Sequence, residues 1–142
     1  MKHVKNHMKL SIPSLSINEG LARNAVAYFV AQLNPTLEEL SDIKCSVSEA
    51  VTNAIVHGYK FTQGTVYIGV KYFSDRTVEI EVKDKGCGIE NVAQAMTPLF
   101  TTDTSGERSG MGFAVMQTFM DKLIVKSKLG SGVRVLMSKQ LR

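Results

Sequence analysis

The 142-residue chain predicts an α+β fold, a two-layer sandwich of helices on a largely antiparallel sheet. Three observations lead there. Helical periodicity dominates residues 18–57, strict two-residue alternation follows at 66–82, and a second alternating pair of segments closes the chain. Adjacent alternating segments pair as antiparallel hairpins, and their apolar faces need helices to cover them.

Each element has its own signal. Residues 8–14 (MKLSIPS) alternate apolar and polar and read as an edge-like strand limited by Pro13. Asn18 is placed to cap a helix reaching about Leu33, with Leu21, Ala22, Ala25, Val26 and Phe29 as its apolar stripe. Asn34-Pro35 ends it. Thr36-Leu37-Glu38-Glu39 is a capping box, opening a helix to about His57 with Gly58 as its stop. Val66, Ile68, Val70 and Tyr72 alternate, as do Val78, Ile80 and Val82, around a turn at Ser74-Asp75-Arg76. A loop from Asp84 to Ile89 precedes a short helical piece at Val92–Met96, and residues 98–109 read as loop. A helix is expected from about Gly110 to Asp121, then a hairpin of Leu123–Lys128 and Val133–Ser138 around Leu129-Gly130-Ser131-Gly132. With no repeat or linker in evidence, residues 1–142 are expected to form a single domain.

Composition narrows the class. Hydrophobic content of 44% and charged content of 21% suit a globular protein rather than a disordered one. Cys45 and Cys87 are too few for a disulfide framework. The N-terminus lacks the apolar core of a signal peptide, and no stretch approaches the ~18 apolar residues of a membrane span. A cytoplasmic protein without a membrane partner is expected. Net charge is +4, but the basic residues gather near the ends (Lys2, Lys5, Lys9; Lys126, Lys128, Arg134, Lys139, Arg142) without nucleic-acid-binding motifs. A solvated basic surface is favoured over a nucleic-acid footprint.

Three polar or glycine-containing sites interrupt the plan. Glu49 and Asn53 lie four residues apart, so they point the same way from one helix, away from its apolar side. Such a pair is either a solvated face or a working one. In the second case Asn53 offers an oxygen to Mg²⁺, and Glu49 accepts a proton from an attacking hydroxyl. Asp84-Lys85-Gly86-Cys87-Gly88-Ile89 stands at a strand exit. It is either a glycine-rich turn or a place where backbone approaches a flat ligand whose amino group Asp84 accepts. Arg108-Ser109-Gly110-Met111-Gly112-Phe113 opens a helix. It is either a hinge or an anion site, built from exposed N–H groups and a guanidinium.

Together, SEAVTNAIVHGY (48–59), DKGCGI (84–89) and RSGMGF (108–113) resemble the N, G1 and G2 boxes of the ATPase superfamily that includes gyrase, Hsp90, histidine kinases and MutL, the GHKL superfamily. With PLFTT (98–102), ERSGMGF (107–113) and Phe119-Met120-Asp121, the chain is similar over essentially its whole length to the anti-sigma serine-protein kinase branch, in its sporulation form. The resemblance implies a Bergerat-type fold with a mixed, mostly antiparallel sheet and helices on one face. It implies ATP or ADP with Mg²⁺ as cofactors, phosphorylation of a serine on a small anti-anti-sigma partner, sequestration of a sigma factor, and a homodimer. On that basis Asn53 ligates Mg²⁺ and Glu49 is the catalytic base. Asp84 takes the adenine amino group, with Gly86 and Gly88 against the base. Arg108, Ser109, Gly110, Met111 and Gly112 surround the phosphates, and Thr101 and Thr102 lie in the nucleotide lid. Glu19 and Arg23, one turn apart on the first helix, are either a solvated pair or the sigma-factor contact.

Two positions depart from the branch. The last hairpin carries Gly132-Val133 where the branch has Gly-Thr, and Asp103 follows Thr101-Thr102 where a basic residue is common. A valine side chain cannot donate a hydrogen bond, so the adenine contact there is expected to be weakened or replaced. Two alternatives remain close, a stress-response anti-sigma kinase and a nucleotide-gated binding module without kinase activity. A histidine-kinase fragment is disfavoured for want of a helical phosphoacceptor domain, and a nucleic-acid binder is the remaining rival. Of the rest, His57 is expected to favour its helix C-terminus, and Cys87 to fill space between two glycines. Met111, Met116, Met120, Phe113 and Phe119 are expected to pack.

Overall fold

The computed structural model describes residues 2–96 and 112–142. The chain runs through β1 (Val4–Pro13), α1 (Asn18–Ala31), α2 (Leu37–Asn53), a π-helical turn (Ala54–Gly58), β2 (Thr65–Phe73), β3 (Thr77–Lys83), α3 (Val92–Ala95), α4 (Gly112–Phe119), β4 (Lys122–Lys128) and β5 (Gly132–Gln140). The five strands form one sheet in the order β1-β2-β3-β5-β4. All four described pairings are antiparallel.

Alternation along the strands decides which face is covered. Val66, Ile68 and Val70 of β2, Val78, Ile80 and Val82 of β3, and Val135 and Met137 of β5 are buried. They join one core with Val26 and Val30 of α1, Ile43, Val47 and Val51 of α2, and Phe113 and Met116 of α4. Each fully buried Val or Ile contributes roughly 1.5–3 kcal/mol of transfer free energy, so this seam is the main force holding helices to sheet. The opposite face carries cross-strand ion pairs, Lys71 to Glu79 at 3.3 Å and Arg134 to Glu81 at 2.8 Å.

Side-chain bonds fix how the helices sit. At the start of α2 the Glu39 amide donates to Thr36 Oγ1 and the Thr36 amide donates to Glu39 Oε1, completing the capping box. Glu39 Oε2 accepts the Arg142 amide at 2.8 Å, so the C-terminal residue is pinned to the same cap. Arg76 donates to the carbonyls of Leu33 and Arg142, joining the α1–α2 connection to the β2–β3 turn. Lys139 Nζ donates to Phe119 O at 2.8 Å and lies 3.5 Å from Asp42, tying the end of α4 to α2.

Several expectations are corrected. Asn18 does not cap α1: its side chain donates to Pro13 O, and no side-chain cap is made at Ile17. The preceding turn is already wound, with the Asn18 and Glu19 amides bonded to Leu15 O and Ser16 O, so the first amides have partners. The α2 helix does not continue regularly to His57. It passes at Asn53 into the π turn, where the Tyr59 amide reaches Ala54 O. Gly58 is not a left-handed stop, and its small size serves another purpose described below. β1 begins at Val4 rather than Met8, because its pairing with β2 extends to Val4 opposite Phe73 despite weak alternation in 4–7. Asn34 ends α1 in the left-handed region at φ 50°, immediately before Pro35.

Candidate functional site

A cavity of about 380 Å³ opens where α2, the β3 exit, α4 and the β4–β5 hairpin meet. Asn53, Asp84, Gly88 and Gly112 all line it, so residues from the three sequence sites converge on one space.

The α2 side is set by helical spacing. Glu49 and Asn53 share a face with Asp42 and Ser46, a polar stripe on a helix whose other side is core. The first residue of α4 abuts that stripe. A Cβ on Gly112 would lie 2.9 Å from Asn53 Nδ2 and 3.2 Å from Glu49 Oε2. The absence of a side chain at residue 112 lets the α4 backbone approach both polar groups without displacing them. The Asn53 carboxamide and the backbone of Gly112 line the cavity, with the Glu49 carboxylate beside Gly112, a set of groups able to take an anion together with its cation.

The opposite end is built around Asp84, which is 3% exposed. Its amide donates to Val133 O at 2.9 Å, continuing the β3–β5 ladder beyond Lys83, and its Oδ1 accepts the Gly86 amide at 2.9 Å. Burial pushes the Asp84 carboxyl above the usual carboxylate range, opposed by backbone groups of Gly86 and Val133. A buried carboxylate lining a cavity is suited to accept a hydrogen bond from a ligand N–H. Val133 lines the cavity with an apolar side chain, and its carbonyl oxygen accepts the Asp84 amide as part of the strand ladder, a bond that does not depend on the side chain at position 133.

The Asp84–Ile89 turn is wedged between two stretches of backbone. A Cβ on Gly86 would overlap the Gly58 carbonyl oxygen, and one on Gly88 would overlap the Lys128 carbonyl oxygen. Gly88 also has φ +76°, which a side chain would strain. The Cys87 amide donates to Gly58 O at 2.8 Å, and the Gly130 amide donates to Cys87 O at 2.7 Å. The Cys87 thiol donates to His57 O, so the residue bonds its neighbours as well as filling space. On the other side of Gly58, the space of a missing Cβ is filled by Asp84, whose carboxylate atoms lie 2.8–2.9 Å from it. This close approach is what position 58 requires.

Sequence reasoning missed three supports. Tyr59 Oη donates to Thr65 O and accepts the Lys85 amide at 2.7 Å, locking the strand exit to the end of the π turn. Ser127 Oγ accepts the Ile89 amide and donates to Gly132 O, closing the turn's far end. The third is the apolar pair Phe61 and Leu129 at the mouth. Tyr59 directly follows the His57-Gly58 pair in the sequence. The others become visible only when distant segments meet.

Of the sequence-assigned residues, Glu49, Asn53, Asp84, Gly86, Gly88 and Gly112 are brought together. Thr101, Thr102, Asp103, Arg108, Ser109, Gly110 and Met111 lie outside the described residues. Glu19 and Arg23 are elsewhere, on α1, where Arg23 Nε stands 3.4 Å from Glu19 Oε2 with both side chains partly buried. Among the described residues no three His, Cys, Asp or Glu side chains cluster as a metal site, and no helix is long and apolar enough to cross a membrane.

Comparison with known proteins bears on the same site. Residues 12–139 match the histidine kinase-like ATPase domain family. The chain is 52% identical over 138 residues to the anti-sigma F factor of Clostridium novyi (strain NT), covering 96% of each. It is 53% identical over 136 residues to that of Thermoanaerobacter sp. (strain X514), covering 96% of this chain and 94% of the relative. With the anti-sigma F factor of Priestia megaterium it shares 49% identity over 139 residues, 97% of this chain and 95% of the relative. Among solved structures, the RsbU and RsbW domains of a Mycobacterium tuberculosis protein superpose with a TM-score of 0.69 at 16% identity, over 96% of this chain and 32% of that longer one. The histidine kinase domain of a blue-light activated histidine kinase from Erythrobacter litoralis superposes with a TM-score of 0.55 at 17% identity, over 87% and 61%. Both show the fold.

Proposed function

This chain belongs to the anti-sigma F factor family and is built on a histidine kinase-like ATPase domain, and we propose that it is a cytoplasmic, homodimeric serine kinase that also holds a sporulation sigma factor. In this reading the nucleotide lies along the cavity, with its base at Asp84 and its phosphates at the start of α4. Asn53 would hold the magnesium ion that arrives with the phosphates, which supply most of its other ligands along with water. That ion would neutralise charge developing on the transferred phosphoryl group.

The single observation that carries the reading is that Gly112 of α4 meets Asn53 in the cavity that buried Asp84 also lines, with Glu49 beside Gly112. Transfer is mostly positioning plus electrostatics, and this chain's groups suit both. The serine Oγ of a small anti-anti-sigma protein attacks the terminal phosphorus, its proton passes to Glu49, and the bond to the β–γ bridging oxygen breaks to release ADP. The family membership supports the sigma-factor role. Glu19 and Arg23 on α1 are our candidates for that contact, and Arg108, Ser109, Gly110 and Met111, with the lid residues Thr101 and Thr102, for the phosphates.

The test is to incubate the protein with γ-labelled ATP and the candidate anti-anti-sigma protein. Label is expected on a partner serine. The Glu49→Ala variant is expected to lose transfer by about 10²–10⁴-fold while binding ATP within a few-fold of wild type. Nucleotide binding without label transfer by the unmodified protein would instead make it a nucleotide-gated binding module.

A further inference from the structure

Among the described residues, two large exposed apolar side chains line the cavity: Phe61, 85% exposed, and Leu129, 64% exposed. Exposed apolar groups are ordinary when scattered, but these two border the same opening, at its Asp84 end. Their placement follows from the wedged turn. Gly86 packs on Gly58, three residues before Phe61, while Gly88 packs on Lys128, next to Leu129. The Asp84–Ile89 turn therefore runs between the Phe61 segment on one side and the Leu129 segment on the other. Backbone contacts of Cys87 with Gly58 and Gly130 tie both segments to the turn. Lys60 Nζ lies 5.4 Å over the Phe61 ring centroid, so one face of the ring meets a cation.

Resting on the nucleotide reading above, we propose that Phe61 and Leu129 are a pair of apolar jaws that close over the two faces of the purine whose edge Asp84 reads. A buried carboxylate selects the amino-bearing edge of a flat ring but does nothing for its faces. An aromatic ring and a leucine side chain supply face contact, and stacking on an aromatic is a sequence-tolerant source of affinity for a base. The phosphate end, at Asn53 and Gly112, has no part in this contact. The jaws thus add affinity for the base independently of the anion site.

The chain contains no tryptophan, so Phe61→Trp installs a single fluorescent reporter at the mouth. Calorimetry with ADP and magnesium is run on the wild-type, Phe61→Ala, Leu129→Ala and Phe61→Trp proteins, with inorganic tripolyphosphate as a probe lacking a base. The expected result is ADP affinity about ten-fold weaker in Phe61→Ala and less so in Leu129→Ala. Tripolyphosphate binding is expected to be unchanged, and the indole emission of the Phe61→Trp protein to be quenched saturably by ADP. If wild type and Phe61→Ala bind ADP alike and the indole emission does not respond, the jaws are refuted and the nucleotide reading stands. An equal loss of tripolyphosphate and ADP affinity in Phe61→Ala also refutes them. If the wild-type protein takes up no ADP, the nucleotide reading fails and the jaws fall with it.

Discussion

Asp84 is an acid placed where burial opposes its ionisation, and that opposition has a stability consequence. Its carboxyl is held above the ordinary range by desolvation. As pH rises through the ordinary carboxylate range the unfolded chain gives up this proton before the folded one does. Over that window the folded state binds more protons, so stability falls as pH rises, and the loss persists above the folded value. Asp84→Asn removes this penalty. Its single amide oxygen is kept by the Gly86 amide, leaving N–H groups where an acceptor is needed. The variant is expected to match wild-type stability in acid and exceed it at neutral pH in urea titrations, while losing ADP affinity by about two orders of magnitude. Gly112→Ala tests the other end. Its Cβ meets the Asn53 and Glu49 side chains at 2.9 and 3.2 Å. The Asn53 and Glu49 side-chain ends must shift to admit it, so the main effect is expected on the site, with folding retained. Phosphoryl transfer is expected to fall by up to ~100-fold through misplaced groups, read in a single-turnover assay.

At the scale of elements, α2 carries both the fold and the site, and its N-terminus anchors it. Thr36→Ala is expected to cost about 1 kcal/mol by loss of the cap, measured by chemical denaturation. The partner residue gives a pH signature of opposite sign to that of Asp84. Burial pushes the Glu39 carboxyl up, but hydrogen bonds from Thr36 and Arg142 outweigh it and hold it below the ordinary glutamate range. Its contribution is complete above the ordinary glutamate value and disappears as pH falls through the depressed folded value. Glu39→Gln is therefore expected to be less stable than wild type at neutral pH, with the gap closing in acid. At the other end of α2, the π turn changes the phase of the chain before Gly58. That turn, together with Tyr59, sets the backbone against which the Asp84–Ile89 loop is wedged.

On the scale of the whole molecule, the sheet behaves as a platform whose end supplies the cavity. β3 leaves it at Asp84, β5 enters beside it at Gly132-Val133, and Gly112 and Phe113 of α4 line the same space. Ligand uptake at such a junction stabilises every element that forms it. ADP at 100 times its dissociation constant is expected to raise the global unfolding free energy by about 2.7 kcal/mol. That increment should fall to about 0.4 kcal/mol in Asp84→Asn at the same ADP concentration, as thermal or denaturant unfolding would show. Equal stabilisation of both proteins would place the nucleotide elsewhere.

The helices and hairpins were legible in the residues because period, caps and turns are local: Thr36-x-x-Glu39, the alternation of 66–72 and 78–82, and Ser74-Asp75-Arg76 each specify their structure within a few positions. Glu49, Asn53 and Asp84 stood out in the sequence as chemical types and through resemblance to a family, and the roles proposed for them rest on both. Their convergence with Gly112 was not legible there, nor were the Ser127 and Tyr59 supports, because these join segments far apart in the chain. Asn18 and Gly58 were misread for the same reason. Asn18 found a partner in Pro13 rather than in its helix, and Gly58 was shaped by Asp84, a residue on the far side of a whole hairpin. Short-range propensity thus determined which elements form. Packing of distant backbone against backbone decided where a side chain had to be absent, and so where a ligand has room to bind.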